Sequence, residues 1–519
     1  MAAPSTAGRV RLAELVAMIS LGTDLGMGQP MEHVMRQSLI ALRLAERLGL
    51  DEATRGVVYY VGLIAWVGCH VDAYEQAKWF GDDTTLKADA RHVDMAGVRA
   101  RAFVLSHLGS GQGLVQRARL GLRYAGEGRR AAEAMIENHW LATNDLAAGL
   151  GLAPQVCRSL YQTFERWDGR GVPAEAKGEE IQIAARLVTL ADVAVAFHRS
   201  GGVQAAVDVA RERRGTQFDP ALVDLFCAEA PRLFAEIESV TTWRAVIGAE
   251  PALEIVLSDR ELESALETIA DFTDLKSPWT IGHSRGVADL AEAAARLHGM
   301  SQADAALVRK AALVHDLGRL GVSNAIWDKD GPLTPAELER VRLHPYLTDR
   351  MLASSEALAP VRAIAVQHHE RLDGSGYPRG LSGDALTLGG RILAAADAYH
   401  AMTEPRPHRP ARTADDAAQE LRAGVRGARF DADAVDAVLQ AAGHRVKRRR
   451  EWPAGLTSRE VEVLRLLVRG LSYREIAEEL VISRRTAGSH VEHIYAKIGV
   501  SNRARASLFA MKHGLMTAD

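Results

Sequence analysis

Residues 283–300 read HSRGVADLAEAAARLHGM, and their apolar side chains recur three or four positions apart. This spacing predicts an amphipathic helix with the first histidine on its buried face. The same period appears in HVMRQSLIALRLAERLGL at 33–50, whereas the alternating pattern of β-strands is rare along the chain. The sequence therefore predicts an all-α protein. The face predicted to be buried comprises His283, Val287, Leu290, Ala294 and Leu297.

These two segments are the first of five matched pairs that occur in the same order along the chain. With His33 placed over His283 the offset is 250 residues, and for later pairs it is 205. The later pairs include FERWDGRGVP (164–173) with HERLDGSGYP (369–378), and ARLVTLADV (185–193) with GRILAAADA (390–398). The change of offset requires a 45-residue insertion in the first copy, between residues 70 and 139. Five ordered matches indicate a tandem duplication of a helical bundle.

A more basic module follows the duplication. From position 444 to the end the chain has 15 basic and 8 acidic residues, whereas the part before it has 48 and 58. A basic tail on an acidic body is typical of a protein that contacts nucleic acid. We predict a degenerate repeat at 1–250, a second repeat at 251–443, a basic linker at 444–455 and a terminal domain at 456–519.

The composition excludes several classes of protein. Of the 519 residues, 47% are hydrophobic and 25% are charged, which argues against collagen, a coiled coil and wholesale disorder. The three cysteines are too few and too scattered for a disulfide framework or a thiolate zinc site. The first residues lack an apolar signal core, and the most apolar stretch, 57–69, is far shorter than the ~20 residues of a spanning helix. We therefore expect a cytoplasmic protein that does not associate with membranes.

The second repeat concentrates side chains that bind metal ions. Imidazole and carboxylate together suit Fe, Mn, Co or Zn, whereas Ca and Mg prefer sites made of oxygen alone. Each histidine taken singly is more often a surface or core residue than a ligand. Burying so many titratable groups is costly unless a cation joins them, so the prediction depends on the whole set. The set is His283, His315, Asp316, His344, His368, His369 and Asp397.

The second repeat resembles the HD-GYP branch of the HD phosphohydrolase superfamily over about 170 residues. The matching strings are HDLGRLGV (315–322), an HP step (344–345), HHERLDGSGYPRGL (368–381) and ADAYHAMTEPRPHRP (396–410). The resemblance implies a five-helix core with two divalent transition metal ions, Fe or Mn, that hydrolyses a phosphodiester, usually cyclic di-GMP. It also implies how the ligands divide. One ion would be held by His283, His315 and Asp397, and the other by His344, His368 and His369.

The resemblance implies further roles beside the metals. Asp316 would bridge the two ions and, with Arg319, act in catalysis. Arg319, Gly376, Tyr377 and Pro378 would bind the substrate, with the glycine allowing close approach of the backbone to it. Taken from the residues alone, this loop is equally consistent with an ordinary turn after a helix, and Tyr377 could stack on a base or simply pack.

Three positions depart from the family pattern. Arg319 stands where lysine is usual, which keeps the charge and permits bidentate binding of phosphate. Trp279 stands where some members carry a glutamate for a third metal, so two metals are expected. His408 replaces tyrosine in the usual RPYRP string at 406–410. These differences bear on the substrate more than on the metal site.

The first repeat lacks most of the ligand set. At the same offsets the HD pair becomes Ala65-Trp66 and the HH pair becomes Thr163-Phe164, while His33, His139 and Asp192 remain. Three scattered ligands cannot reproduce the second site, so we expect no catalytic metal centre in this repeat. Two roles stay open for it, a regulatory pocket and a structural partner of the second repeat, and the structural role is the more common one.

The terminal domain contains two capping boxes, Thr457 with Glu460 and Ser472 with Glu475, followed by a third helix after Ser483. The strings LTSREVEVLRLLVRGLSYREIAEEL (456–480) and SRRTAGSHVEHIYAKIGVSNR (483–503) resemble the LuxR-type DNA-binding domain. The resemblance implies a four-helix domain whose helix-turn-helix binds double-stranded DNA. Candidate DNA contacts are Arg484, Arg485, Thr486, Ser489, His490, His493, Lys497 and Arg503.

Together these features predict a metal-dependent phosphodiesterase coupled to transcriptional regulation. Two alternatives stay open: a regulator whose HD unit senses a nucleotide without turnover, and a hydrolase of another phosphate ester. Because LuxR-type domains bind two-fold sites, a homodimer is expected. Most of its contacts should come from the helical body, with a small apolar surface at Leu508, Phe509 and Met511 in the tail.

Overall fold

The structure is a computed structural model, and it describes residues 9–251, 255–445, 452–480, 482–513 and 515. Within these residues the chain forms helices joined by turns, and the β-type pairings are isolated bridges. The prediction of an all-α fold is confirmed. The chain divides into two compact units, Met1–His444 and Arg445–Asp519. Half of the predicted linker, residues 446–451, lies outside the described residues.

The first repeat is centred on helix α2, which packs against α3, α9 and α10. The predicted insertion forms three short helices and the beginning of the long helix α7. The helices are α1 (Leu12–Gly26), α2 (His33–Arg47), α3 (Glu52–Ile64), α4 (Ala73–Phe80), α5 (Asp83–Ala90), α6 (Gly97–His107), α7 (Leu114–Gly149), α8 (Pro154–Tyr161), α9 (Ile183–Glu212), α10 (Pro220–Glu238) and α11 (Thr242–Gly248).

The second repeat has the same arrangement around α13, which packs against α14, α19 and α21. These helices correspond in order to α2, α3, α9 and α10, as the matched sequence pairs predict. The helices are α12 (Asp259–Asp274), α13 (His283–His298), α14 (Gln302–Leu313), α15 (Asn324–Trp327), α16 (Pro335–Arg342), α17 (His344–Leu352), α18 (Ala359–Ala365), α19 (Leu388–Thr403), α20 (Ala414–Arg426) and α21 (Ala432–Ala441).

Equivalent aspartates start the last core helix of each repeat. Asp219 accepts hydrogen bonds from the backbone amides of α10, and Asp431 does the same for α21. Each carboxylate also accepts a hydrogen bond from an arginine of the preceding core helix, Arg186 at 2.7 Å and Arg391 at 3.2 Å. The duplication therefore preserves the supports of the scaffold as well as its helices.

The helix that leads each repeat packs against the other repeat. Helix α1 contacts α17 and the 3-10 turn Leu317–Gly321 of the second repeat, and α12 contacts α7 of the first. The two repeats thus form one continuous unit, in which a leading helix lies directly behind the turn that carries the HD motif.

The terminal unit contains α22 (Ser458–Val468), α23 (Tyr473–Leu480), α24 (Arg484–Ile498) and α25 (Arg503–Lys512). Both predicted capping boxes form, because Thr457 and Ser472 exchange hydrogen bonds with Glu460 and Glu475. Phe509 packs against the core of this unit, whereas Leu508 and Met511 are exposed. The predicted apolar surface of the tail is therefore smaller than expected.

Among the described residues, no single helix has the length and apolar character needed to cross a membrane. One bent pair, Glu52–His70 with Ala73–Phe80, passes the same test on length and composition alone.

Candidate metal centre

The HD turn is hydrogen-bonded to helix α17. Helix α14 ends at Leu313, and His315 and Asp316 lie in the turn beyond it. The hydroxyl of Thr348 donates to the carbonyl of His315 at 3.0 Å and accepts from the amide of Gly318 at 2.9 Å. A side chain at Gly318 would collide with the carbonyl of His344, which explains the glycine in the motif. The turn is therefore held in one position against α17.

Six of the predicted ligands form two clusters of three. His283, His315 and Asp397 make one cluster, and His344, His368 and His369 make the other. In each cluster the potential ligand atoms all lie within 4.8 Å of one another. All six side chains are buried except His369, which is partly exposed.

Asp316 lies between the two clusters and reaches both. Its Oδ1 is 3.4 Å from Nε2 of His344 and 3.7 Å from Nε2 of His368. Its Oδ2 is 3.7 Å from Nε2 of His315 and 3.9 Å from Nε2 of His283. A carboxylate in this position has one oxygen available to each cluster.

Three of the histidines are oriented by the same local contact. Nδ1 of His315, His344 and His368 donates to a carbonyl three residues earlier, at 2.5, 2.6 and 2.7 Å. Because a carbonyl only accepts, the proton is on Nδ1 and each Nε2 carries a lone pair. All three Nε2 atoms are turned towards Asp316.

The arrangement of these lone pairs fits metal ions. Nε2 of His344 and Nε2 of His368 are 3.0 Å apart, a separation at which two lone pairs repel each other. Nε2 of His315 is buried and has no hydrogen-bond partner among the described residues. A cation coordinated by these nitrogens would remove both penalties.

The protonation states also suit metal ligands. Burial lowers the pKa of His344 to about 4 and that of His368 to about 3, so both are neutral at neutral pH. Burial opposes ionisation of Asp316, but His315 and Arg319 hold its pKa well below the usual value. Neutral imidazole and ionised carboxylate are the forms that coordinate metals.

Glu404 is a functional residue that the sequence did not identify. Its Oε2 accepts from Nδ1 of His283 at 2.8 Å and from Arg406 at 2.8 Å. Burial lowers the pKa of His283, but hydrogen bonds with Asp397 and Glu404 outweigh it and raise the pKa to about 9. The pocket around Nε2 of His283 therefore favours positive charge. Glu404 and His400 also form a group of three potential ligands with His283.

The two arginines of the RPHRP string hold Glu404 and the end of α19 in place. Arg406 donates to Glu404 and to the carbonyl of Trp279, and Arg409 donates to carbonyls near the end of α19. His408, which departs from the family pattern, is exposed. The carboxylate of Glu404 could have been suspected from its place in this string, but its contact with His283 depends on the fold.

Arg319 lies against the bridging aspartate. Its Nη1 donates to Oδ2 of Asp316 at 3.0 Å, and its guanidinium lies 4.1 Å from the ring centre of Trp327. The indole fixes the plane of the guanidinium and leaves it mostly buried beside the clusters. The predicted catalytic arginine is thus brought to the site.

The Gly-Tyr-Pro loop is closed by Glu370. The carboxylate of Glu370 accepts from the amides of Arg379 and Leu381 at 2.8 and 2.9 Å. A side chain at Gly376 would collide with the backbone of Glu370 and Arg371, so this glycine lets the loop pack closely against the preceding backbone. The loop is thus an ordered part of the protein.

The other two residues of this loop differ in position. The ring of Tyr377 lies 4.8 Å from that of His369, which places it at the edge of the clusters, and Pro378 is exposed. Of the loop residues predicted to bind substrate, Tyr377 is the one packed beside a potential metal ligand.

In the first repeat two aromatic rings lie at positions of the lost ligands, and an arginine of the insertion pairs with the remaining aspartate. Arg91 donates to Oδ1 of Asp192 at 2.6 Å, and His33 is hydrogen-bonded to the same oxygen at 2.9 Å. Trp66 and Phe164 pack edge to face with ring centres 5.7 Å apart. Among the described residues, no cluster of three potential metal ligands forms in this repeat.

Helix α24 of the terminal unit presents most of the predicted DNA contacts to solvent. Its inner face buries Ala487, Val491 and Ile494. Two predicted contacts are instead engaged within the domain. Lys497 donates to Glu460 at 2.8 Å, and Arg503 donates to the carbonyls of Gly470 and Leu471. The exposed candidates on α24 are Arg484, Arg485, Thr486, Ser489 and His493, while His490 is half-buried.

Known proteins resemble the two units separately and, in one case, the whole tandem repeat. Residues 125–222 and 267–434 match the family described as HD domain. Residues 454–510 match the family described as bacterial regulatory proteins, luxR family. The segments matched to the HD family belong to both repeats, in agreement with a duplication.

Several relatives are named phosphodiesterases. The chain is 32% identical over 410 residues to 3'3'-cGAMP-specific phosphodiesterase 3 of Vibrio cholerae, covering 78% of this chain and 89% of the relative. It is 35% identical over 186 residues to the cyclic di-GMP phosphodiesterase response regulator RpfG of Xanthomonas campestris, covering 36% of this chain and 49% of the relative. The crystal structure of a cyclic GMP-AMP-specific phosphodiesterase of V. cholerae superposes with a TM-score of 0.59 at 27% identity, covering 85% of this chain and 99% of that one.

Proposed function

The chain belongs to the HD-domain family of metal-dependent phosphohydrolases and carries a luxR-family regulatory domain, and from this we propose that its second repeat hydrolyses a 3',5'-cyclic dinucleotide. The observation that carries the proposal is the position of Asp316 between two clusters of three potential ligands. The named activities of the relatives support a cyclic dinucleotide as the substrate.

The ligand assignment follows the two clusters. His283, His315 and Asp397 would hold one divalent ion, His344, His368 and His369 the other, and Asp316 would contact both. Fe and Mn suit this mixture of imidazole and carboxylate. When bound, two such ions supply a water of lowered pKa and neutralise charge on the phosphate.

The remaining steps belong to side chains of the protein. Arg319 is stacked on Trp327 and directed at the clusters, so its guanidinium can bind a phosphate oxygen beside Asp316. Glu404 orients His283 through Nδ1, and the backbone carbonyls orient the other imidazoles. Tyr377 keeps its proton, because burial raises the pKa of the phenol, and its ring offers a surface for a base at the edge of the site.

A substrate panel tests this proposal. The full chain, loaded separately with Fe(II) and Mn(II), should hydrolyse cyclic di-GMP or 3'3'-cGAMP faster than bis(p-nitrophenyl) phosphate. Asp316→Ala should abolish turnover, whereas Asp384→Ala, which removes an exposed carboxylate of the same repeat, should leave it unchanged. Preference for the simple diester would favour a hydrolase of another phosphate ester, and no turnover of any substrate would contradict the proposal.

A second candidate function is a regulator that senses the dinucleotide without turnover, and the luxR-family match favours it. It predicts tight binding without product and DNA affinity that changes with the ligand. Both candidates include DNA binding through α24, which we propose uses Arg484 and Arg485, both exposed. The double variant Arg484→Ala/Arg485→Ala should weaken binding to a fragment selected from a random DNA pool by about tenfold or more.

The control for DNA binding is Arg505→Ala, which removes an exposed arginine from α25. It should change the affinity much less, because α25 is not the recognition helix. Equal effects of the two changes would indicate that only the overall charge of the domain matters.

We also propose that the protein acts in the cytoplasm as a homodimer, because a two-fold DNA site needs two terminal domains. The exposed apolar side chains concentrate on the insertion of the first repeat rather than on the tail. Val98, Leu105, Leu114, Val115 and Leu122 are each at least 65% exposed. Light scattering of the full chain should give the mass of a dimer, and Leu114→Asp/Leu122→Asp should lower it.

A further inference from the structure

The first repeat encloses a cavity of about 460 Å³ where the second repeat has its ligand clusters. Trp66 and Phe164 line it, and these residues occupy the positions of Asp316 and His369. The insertion contributes another part of the lining, which includes Phe103 and Tyr124. The cavity therefore belongs to the degenerate repeat, and it exists because the insertion covers the former site.

The lining of the cavity includes several aromatic side chains. Trp66, Phe80, Phe103, Tyr124 and Phe164 all contribute to the lining. Aromatic rings on several sides favour a planar ligand, because a flat ring system can stack against them. The volume lies within the range of about 300–1,000 Å³ that is usual for small-molecule sites.

Buried polar atoms of the lining have no hydrogen-bond partner among the described residues. They are both ring nitrogens of His139, Oδ1 of Asp72, Oε1 of Gln76, Oε2 of Glu165, and Nε of Arg91 and of Arg213. His139 is 1% exposed and Asp72 is 6% exposed. Buried polar groups are normally paired, so several unpaired groups facing one space indicate a ligand with complementary donors and acceptors.

The charge of the lining favours an anion. Five basic residues of the lining outnumber its three acidic ones: the basic residues are Lys87, Arg91, Arg166, Arg170 and Arg213, and the acidic ones are Asp72, Glu165 and Asp192. Arg91 is paired with Asp192. Arg166 is paired with Asp94, whereas Arg170 is exposed. Nη1 and Nη2 of Arg213 donate to Gln217 and to the carbonyl of His92, which leaves its positive charge without a carboxylate in these contacts. A negatively charged group would be attracted to this side of the cavity.

We infer that the cavity of the first repeat is a binding site for a purine nucleoside monophosphate. The base would stack between the aromatic walls, its heteroatoms would pair with His139, Gln76 and Asp72, and its phosphate would lie near Arg213 and Arg170. No hydrolysis is expected there, since no cluster of three potential metal ligands forms among the described residues of this repeat. The site is independent of the activity proposed for the second repeat.

Calorimetric titration of the full chain with GMP and with AMP tests this site. Ala132 lies on α7 and lines the cavity. Ala134 lies on the same helix but is exposed and does not belong to the lining. Ala132→Phe should fill the cavity and weaken binding of the preferred nucleotide at least about tenfold. Ala134→Phe, the same change two positions along the helix, should bind it as the unaltered protein does. Equal binding by both variants would overturn the inference.

A second measurement identifies the site directly and does not depend on how well a variant folds. The photoreactive analogue 8-azido-GMP is bound to the unaltered chain and irradiated, and the labelled peptides are mapped. Label on the peptides that contain Trp66 or Phe164 supports the inference. Label confined to residues 267–434, or no label that excess GMP competes away, overturns it.

Discussion

The two repeats use one scaffold for different purposes, and the difference is clearest at a pair of equivalent aspartates. Asp397 forms a cluster with His283 and His315 in which the potential ligand atoms all lie within 4.8 Å of one another. Asp192 lies at the matching position but accepts a hydrogen bond from Arg91. Arg91 comes from the insertion, so the added segment supplies a positive charge beside Asp192. In the second repeat the equivalent positive charge would be a metal ion. A buried carboxylate needs a positive partner in both repeats, and each repeat provides one by a different route.

The matched variants Asp397→Asn and Asp192→Asn test this difference with the largest expected effect. Asp397→Asn removes a metal ligand and should lower kcat for the dinucleotide by about a thousandfold or more. Asp192→Asn should leave kcat within about threefold while lowering Tm, because the buried charge of Arg91 loses its partner. The measurements are initial rates and thermal melts of both proteins. Comparable losses of kcat would show that the repeats are not functionally distinct.

The next effect concerns the carboxylate that orients His283. Glu404→Gln keeps the size of the side chain but removes the charge that holds Nδ1 of His283. Metal affinity or kcat should fall about 10–100-fold, as is usual when the partner of a liganding histidine is changed. Glu420→Gln, which alters a surface ion pair on α20, is the control and should have no effect. An unchanged metal affinity in Glu404→Gln would remove Glu404 from the site.

A smaller effect distinguishes the first repeat by pH. Burial raises the pKa of Asp72 to about 8, above its ordinary value of about 4 in an unfolded chain. Between about pH 4 and pH 8 the folded protein keeps a proton on Asp72 that the unfolded chain has lost. The free energy of unfolding is therefore highest below about pH 4 in this respect, and it falls as the pH rises towards 8. Relative to Asp72→Asn, the unaltered protein should lose about 2 kcal/mol of unfolding free energy between pH 5 and pH 6.5. Urea denaturation of both at the two pH values measures this, and parallel pH profiles would contradict it.

The smallest expected effect tests the supports that the repeats share. Asp219→Ala and Asp431→Ala each remove a helix N-cap and an arginine contact at equivalent positions. Each should cost about 0.5–2 kcal/mol of unfolding free energy, with the larger loss at the more buried Asp219. Urea denaturation at pH 7 provides the comparison. If only one of the two substitutions lowers the free energy of unfolding, the two N-caps do not play the same structural role in the two repeats.

The sequence predicted those features that depend on local periodicity and on repeated strings. The helical period of residues 283–300 and the ordered matches between the copies were sufficient for the all-α tandem fold. The HD and HH pairs identified three of the six clustered residues, and the rest of the family pattern identified the other three, namely His283, His344 and Asp397. Whether each of them binds a metal stays a prediction.

Contacts between distant segments could not be predicted in the same way. Glu404 follows His283 by 121 residues, and nothing in the local pattern of either indicates their hydrogen bond. Arg91 has no counterpart in the second repeat, because it lies in the insertion. Lys497 and Arg503 look like DNA contacts in a basic domain, but their donors are engaged by an acidic side chain and by backbone carbonyls of the same domain. Charge in a sequence does not show which partner will take it.

The central claim, that the second repeat alone is a metal centre, is tested most directly by metal content. The full chain, purified without chelator and analysed by inductively coupled plasma mass spectrometry, should hold close to two equivalents of Fe or Mn per chain. Asp316→Ala should hold far less, because this carboxylate reaches both clusters. Asp192→Asn should retain the full amount. Absence of transition metal from the unaltered chain, or loss of metal in Asp192→Asn instead of Asp316→Ala, would contradict the account.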